Sequence, residues 1–366
     1  MVTVDQLLYT TVHHQGSDLH LKADSPPLVR IHGDLIHLDM EPLTVEECKW
    51  LSFSVLSELQ RARFEEDLEL DFAYEIPELA RFRGSIYQQR NSVQSAFRVI
   101  PLHIQTIDEL GLPPICRYFS ERPRGLVLIT GPAGSGKSTT QAAMIDYING
   151  NYPLHVVTVE DPVEFIHEDR QSLINQRELD TDTLSFANAL KFVLRQDPDV
   201  ILIGEMRDLE TIHLAITAAE TGHLVFGTLH TTDAVQTVDR VIDVFPTHQQ
   251  QQVRMQMAVN LIGVISQTLI KKKDGSGRVA AFETLVAISA VRNLVRENKT
   301  YQIGSIIQTG QRHGMQSLDQ SLANLYKSGM ITYTDALEKA SNVQEFKALA
   351  GEDPDQPTAS DDDQAT

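Results

Sequence analysis

Cysteine is almost absent from this chain. Cys48 and Cys116 are the only two, and they are far apart with no C-x-x-C pair between them. A thiolate zinc site is therefore not expected, and two lone thiols fit a reducing cytoplasm. Long apolar runs are missing as well: no window of about 18 apolar residues occurs, so membrane association would have to run through partners. Met1-Val-Thr-Val-Asp5 lacks the basic n-region of a secretory signal. Positive charge is scarce, with 31 Lys and Arg against 50 Asp and Glu and a net charge of -19. A nucleic-acid partner usually requires a basic face, so none is expected here. The single basic run, Lys271-Lys272-Lys273, leads into Asp274-Gly275-Ser276-Gly277 and reads as a solvated hairpin turn.

What remains is ordinary globular material. Apolar residues make up 42% of the 366 and charged residues 22%, enough for a sizeable core and for two to three domains. The strongest local signal is Gly131-Pro132-Ala133-Gly134-Ser135-Gly136-Lys137-Ser138-Thr139-Thr140, which satisfies G-x-x-x-x-G-K-[ST]. It follows the apolar stretch Gly125–Thr130 and precedes a helical pattern, the strand–loop–helix context that the motif needs. Glycines let the backbone curl so that N–H groups point at phosphate oxygens, and the helix start adds its positive end. Lys137 supplies a charge for the β- and γ-phosphates, and the Ser138 hydroxyl suits Mg²⁺. The chain is expected to bind a nucleoside triphosphate.

Residues 1–100 read as a small α+β domain. Thr3 is placed to cap a first helix with Val4, Leu7, Leu8 and Val12 on one face. Gly16–Leu21 reads as a turn into a strand, and Leu28–His32 and Leu35–Leu38 as short strands. Thr44 with Glu47 forms a capping box. Further strands are expected over Leu68–Tyr74, Arg81–Arg90 and Ser95–Ile100. Residues 101–114, rich in breakers, read as a linker and hinge. From about Arg117, apolar β-runs alternate with helical stretches, the pattern of a mostly parallel sheet covered on both faces. Four runs matter: Leu126–Thr130, His155–Val159, Val200–Ile203 and Leu224–Leu229. In an open parallel sheet the ligand sits at the carboxyl ends of the strands, where each of these runs is followed by polar residues. From Ala350 the chain carries six acids, no base and almost no large apolar side chain, and residues 350–366 read as a disordered acidic tail.

Those polar residues carry the candidate chemistry. Val200–Ile203 ends in Gly204-Glu205, an acid placed to organise Mg²⁺ or a water. Val156–Val159 ends in Glu160-Asp161-Pro162-Val163-Glu164, three carboxylates whose mutual repulsion a cation would relieve. A glutamate there could orient an attacking water, or the segment could be a solvated acidic loop. His223 and His230 bracket Leu224–Leu229, and a histidine at a strand end could sense a γ-phosphate. Arg81, Arg83, Arg90 and Arg98 lie outside the P-loop region. They are either a solvated basic strand face or a source of charge for phosphoryl transfer in another domain or subunit. Ala290–Lys299 is an amphipathic pattern with Val291, Leu294 and Val295 on one face, and Arg292, Asn293, Arg296 and Glu297 facing away.

In this order the boxes resemble the secretion-superfamily ATPases, and more narrowly the type IV pilus retraction ATPases. The matching features are the Walker A loop, an acidic box Glu160–Glu164, an atypical Walker B ending at Glu205, and a histidine box Thr221–His230. Ala290–Glu297 is similar to the helix that marks the retraction type, and the missing C-x-x-C module sets the chain apart from extension and type II relatives. Ala133, where the retraction family usually has threonine, and Thr231-Thr232-Asp233, where Thr-Asn-Ser is commoner, depart from the pattern.

The resemblance implies an α/β fold: an N-terminal PAS-like α+β domain (1–100), a hinge (101–114) and a RecA-like P-loop ATPase domain with a mostly parallel sheet (115–349). It implies ATP and Mg²⁺ as cofactors, a homohexameric ring, an inner-membrane pilus platform protein and a paralogous ATPase as partners, and a cytoplasmic place at the inner-membrane base of the pilus machine. Glu164 is then expected to activate water, Glu205 to organise Mg²⁺ with Ser138, and His230 with His223 to sense the γ-phosphate. Glu160 would join the loop residues Gly131–Thr139 around the nucleotide. Arg81, Arg83 and Arg98 become arginine-finger candidates. An assembly or secretion ATPase of the same superfamily is the alternative, with a RecA-like nucleic-acid motor behind it.

Overall fold

Capping chemistry sets the first helices. Thr3 and Gln6 exchange side-chain and backbone hydrogen bonds at the start of the helix Val4–His13, and Thr44 and Glu47 do the same for Val45–Ser54. Ser57 and Gln60 form a third such box, unforeseen from sequence, for Glu58–Asp67. The computed structural model describes residues 2–31, 33–100 and 102–351. His32, Pro101 and the expected acidic tail from Glu352 onward lie outside the described residues. Ala350 itself closes the helix Val343–Ala350, so any tail begins after it.

The N-terminal strands are β1 (Asp18–Leu21), β2 (Leu28–Ile31), β3 (Asp34–His37), β4 (Glu69–Ile76), β5 (Ala80–Gln89) and β6 (Ser92–Ile100). The rest of the chain supplies β7 (Gly125–Thr130), β8 (His155–Glu160), β9 (Leu173–Glu178), β10 (Val200–Ile203), β11 (Leu224–Leu229), β12 (Leu261–Lys271) and β13 (Arg278–Val286). The result is an α/β fold with two sheets, one antiparallel and one mostly parallel. The turn of the β12–β13 hairpin holds the lysine run, with Lys272 N–H donating to the Gly277 carbonyl at 3.0 Å.

The chain divides into two compact units, residues 1–111 with 138–204 and residues 112–137 with 205–366. In the first, β3-β2-β1-β6-β5-β4 form the antiparallel sheet, and β10-β8-β9 run parallel to one another. Along β5 Phe82, Gly84 and Ile86 alternate into the core, while Gln88, which sequence alternation places on the same face, is exposed. The core includes Phe72, Phe82 and Phe97, with Phe72 and Phe97 edge-on at 6.1 Å. A Cβ on Gly84 would lie 2.4 Å from the Phe72 ring.

In the second unit the order is β13-β12-β7-β11. β7 pairs parallel with both β11 and β12, and the hairpin partner β13 closes the edge antiparallel. β7 and β11 are buried at every position, which explains why Thr130 and Thr228 are their only polar residues. The register of β12 on β7 shifts between Leu261 and Gly263. There a Cβ would stand 2.2 Å from the Phe119 ring and 2.5 Å from the Leu285 carbonyl. Replacing Gly263 with alanine must displace ring and backbone together. Gly263→Ala is expected to cost about 1–3 kcal/mol, read as a lower unfolding midpoint in a thermal melt followed by circular dichroism.

Candidate functional site

In the second unit, β7 leads directly into Gly131–Lys137. Gly131, Gly134 and Gly136 have φ of +144°, +72° and +89°, a region that side chains strain to reach. Space also demands glycine at the first position: a Cβ on Gly131 would meet the Gln267 carbonyl at 2.2 Å and Ser135 Oγ at 2.6 Å. Gln267, from β12, props the loop through Nε2, which donates to the Ser135 carbonyl at 2.7 Å. Beside it Thr130 and Ser266 share a buried hydroxyl contact of 2.8 Å. Pro132, Ala133 and Gly134 are exposed and Ser135 is buried. Lys137 folds back over the loop, Nζ donating to the Gly131 and Pro132 carbonyls at 2.8 and 3.0 Å. A cation over a curled, glycine-built backbone at a helix start is a cradle for phosphate. Ser138 and Thr139 follow, half-buried, in the first turn of the helix Lys137–Asn151.

His230 directly follows β11. Its Nε2 lies 2.9 Å from Glu205 Oε1, and Arg207 Nε donates to the same oxygen. Burial pushes Glu205 up, but Arg207 and His230 outweigh it and hold the carboxyl below its ordinary value. The structure does not bring the two histidines together. Leu224 pairs with Gly125 and Leu229 with Thr130, so His230 sits at the P-loop end of β11 and His223 at the other. Six strand residues separate them by roughly 20 Å. His223 instead has Nδ1 2.9 Å from the Ala218 carbonyl, closing the preceding helix.

The first unit holds the acidic box. Glu160 ends β8, with Oε1 accepting from Thr158 Oγ1 at 2.7 Å and Gln176 Nε2 at 3.2 Å. Burial lifts its carboxyl to about 7. Val163 is clamped on both sides: its N–H donates to Glu178 Oε2 at 3.0 Å, and its carbonyl accepts from Arg81 Nε at 2.9 Å. Arg81 Nη2 reaches Glu178 Oε2 at 3.1 Å, and both side chains are only 15% exposed. Glu164 is next in the chain, 3.8 Å from Arg83 Nη1. Arg83 also meets Asp71 at 3.4 Å, and Arg98 pairs with Asp18 at 2.9 Å. Arg81 is thus built into the acidic loop, whereas Arg83 and Arg98 are 40% and 66% exposed. Arg90 occupies a turn at φ +48°.

The amphipathic helix runs over Ser289–Arg296 and stops before Glu297, with Asn298 left-handed at φ +59°. Val291 and Val295 are buried as expected. Arg292 does not face away. Its Nε donates to the Ala287 carbonyl at 2.7 Å, and its Nη1 to the carbonyls of Ala258, at 2.8 Å, and Val259. It therefore caps the end of the helix Thr247–Asn260, whose last carbonyls need donors. Asn293, Arg296 and Glu297 are exposed.

Sequence reasoning missed Gln267, Glu178 and Glu283, each supplied from a strand remote in sequence. Glu283, on β13, accepts from Ala234 N–H at 2.7 Å, at the start of the helix Ala234–Asp243. Burial pushes its carboxyl up to about 7, with Asp233, Asp319 and Glu345 adding to the rise.

Three comparisons bear on this arrangement. Residues 106–313 match the model of the type II/IV secretion system protein family. The chain is 50% identical over 343 residues to the type IV pilus retraction ATPase PilT of Pseudomonas aeruginosa, covering 94% of this chain and 99% of that one. It is 39% identical over 345 residues to the type IV pilus ATPase PilU of the same organism, covering 94% and 90%. Its fold is similar to the crystal structure of the pilus retraction motor PilT with bound ADP, with a TM-score of 0.87 at 46% identity, covering 95% of this chain and all of that one.

Glu283 yields a pH prediction. An acid raised in the folded state keeps its proton where the unfolded chain has lost it. Its contribution to stability therefore falls as pH rises from 4.5 toward about 7 and levels off beyond. Glu283→Gln is expected to remove that part of the decline, measured as urea midpoints across this range. An unchanged pH profile would overturn the assignment.

Proposed function

The chain belongs to the type II/IV secretion system protein family, on its type IV pilus retraction ATPase branch, and from that premise we propose that it is a homohexameric motor whose hydrolysis of ATP powers pilus retraction. One observation carries the reading: a glycine-built phosphate cradle under Lys137, in a chain that matches a retraction ATPase over 94% of its own length.

The roles follow from what each group can do. Backbone N–H groups of Gly131–Gly136 hold the β- and γ-phosphates, and Lys137 exchanges the loop carbonyls for phosphate oxygens. Ser138 and Glu205 are oxygen donors of the kind Mg²⁺ prefers, and an ion held by them would neutralise phosphate charge. Glu164 takes the proton of the attacking water. His230, hydrogen-bonded to Glu205, reports the γ-phosphate to that acid. Arg83 or Arg98, both more exposed than Arg81, supplies charge to a site completed by a neighbouring subunit, while Arg81 holds the acidic loop. Asn293, Arg296 and Glu297 form the outward face of the retraction-type helix and meet the partner machinery.

We further infer a PAS-like region (1–100), a hinge (101–114) and a RecA-like region (115–349), with hydrolysis changing the angle across the hinge. Sequential firing turns an inner-membrane platform protein and releases pilin subunits, and a PilU-like paralogue shares the task. The motor works from the cytoplasmic side of the inner membrane; no helix among the described residues is long and apolar enough to cross a membrane.

Lys137→Ala is expected to abolish ATP turnover, and normal turnover in a phosphate-release assay would sink the site assignment. Deleting the gene in its source organism should leave non-motile cells with excess surface pili. Bald cells would identify an assembly motor instead.

A further inference from the structure

A small cavity in the first unit shares Ser138 and Glu160 with the roles above, but its other polar lining is unused by them. It is lined by Ser138 and Gln141 from the P-loop helix, Thr158 and Glu160 from β8, and Phe165 and His167 from the loop that carries Glu164. It offers a water centre about 10 Å³, the threshold for holding one molecule. Two of its lining residues carry buried polar atoms with no hydrogen-bond partner, Gln141 Nε2 and His167 Nδ1. Gln141 is only 4% exposed, so bulk water does not reach its amide. Buried polar groups are rarely left unpaired, and a water needs two to four polar partners.

The chemistry of the two atoms is complementary through one water. An amide nitrogen donates only. Burial pushes the His167 imidazole down to about 4, so the ring is neutral at pH 7 and Nδ1 accepts when Nε2 holds the proton. The loop is already tied on its other side. His167 N–H donates to Gln176 Oε1 at 2.8 Å, and Gln176 Nε2 donates to the Phe165 carbonyl at 2.7 Å. Toward the P-loop helix the chain is tied just past His167, where Asn149 Nδ2 donates to the Glu168 carbonyl at 2.7 Å and Arg170 N–H donates to Asn149 Oδ1 at 3.0 Å; the cavity lies at the other end of that helix, beside Ser138 and Gln141.

We propose that this cavity binds a single water held between Gln141 Nε2 and His167 Nδ1, and that this bridge makes Gln141 and His167 positioning residues, fixing the Glu160–His167 loop and the Glu164 it carries relative to the P-loop helix. The inference rests on the ATPase reading of Glu164. Neither residue touches the reacting atoms. They act on turnover by holding the base in register.

The test compares Gln141→Leu, His167→Leu, their double variant and His167→Asn in the full chain. Each leucine variant is expected to lower kcat by about tenfold or more while KM for ATP stays within about twofold. The double variant should lose no more than the worse single, because both remove one bridge. His167→Asn, which can offer an acceptor near the position of Nδ1, should recover most of the loss. The unfolding midpoint of the double variant should hold or rise, since apolar groups replace both ends of the bridge, whereas each single variant leaves the other end unpaired and lowers it. Full kcat in both leucine variants, losses that multiply in the double, or a midpoint in the double that falls below both singles would each overturn the proposal. If the unaltered chain hydrolyses no ATP, the ATPase reading fails instead. A high-resolution crystal structure then decides the water: density between Gln141 and His167 supports the site, and an empty cavity refutes it.

Discussion

Arg81 holds the acidic loop in place, and much of the first unit's site depends on that contact. Its guanidinium reaches the Val163 carbonyl and the Glu178 carboxylate, while the same carboxylate takes the Val163 N–H. Two hydrogen bonds thus hold Val163, immediately before Glu164, one on each of its flanking peptides, and a third joins the two side chains that make them. Both charged partners are 15% exposed, and Arg81 also meets Glu75 at 3.4 Å, so it is Glu178 that loses its largely buried partner if Arg81 is removed, a costly state. β5 presents Arg81 and Arg83 on one face, two residues apart, as a strand must. The contact that clamps Val163 therefore also delivers Arg83 to within 3.8 Å of Glu164.

The chain manages its carboxylates by three different means. Glu178 is paired with arginine. Glu160 is half-buried, held by hydroxyl and amide donors, and its carboxyl rises to about 7. Glu205 is held below its ordinary value by Arg207 and His230 despite partial burial. Acids with separated proton affinities can take different roles in one reaction. Repulsion among the acids of Glu160–Glu164 is a sequence-level inference, and the relief comes from neighbours on β5 and β9.

Much of the fold was legible because its causes are local. Capping boxes at Thr3 and Thr44 act over three residues, and both helices start where those residues place them. β7 and β11 are almost wholly apolar because both faces are covered. The P-loop is legible because its positive-φ positions require glycine within a few residues. The misplacements share the opposite cause. Arg292 reads as outward from helical periodicity, yet a long side chain can turn back to carbonyls about 34 residues away. His223 and His230 read as a pair because they flank one box, but an extended strand carries its two ends far apart.

The sequence by itself determined the phosphate loop, the capped first helices, the apolar strands that lead into the site, and the residue types available for catalysis. These follow from backbone sterics, periodicity and the chemistry of neighbouring side chains, which span a handful of residues. Only the tertiary structure decided which partner each of those residues meets. Gln267 supports Ser135 from 132 residues away, and Arg81 grips Val163 across 82. Such contacts depend on which strands lie side by side and in what register. That is set by burial summed over the whole chain, not by any local pattern.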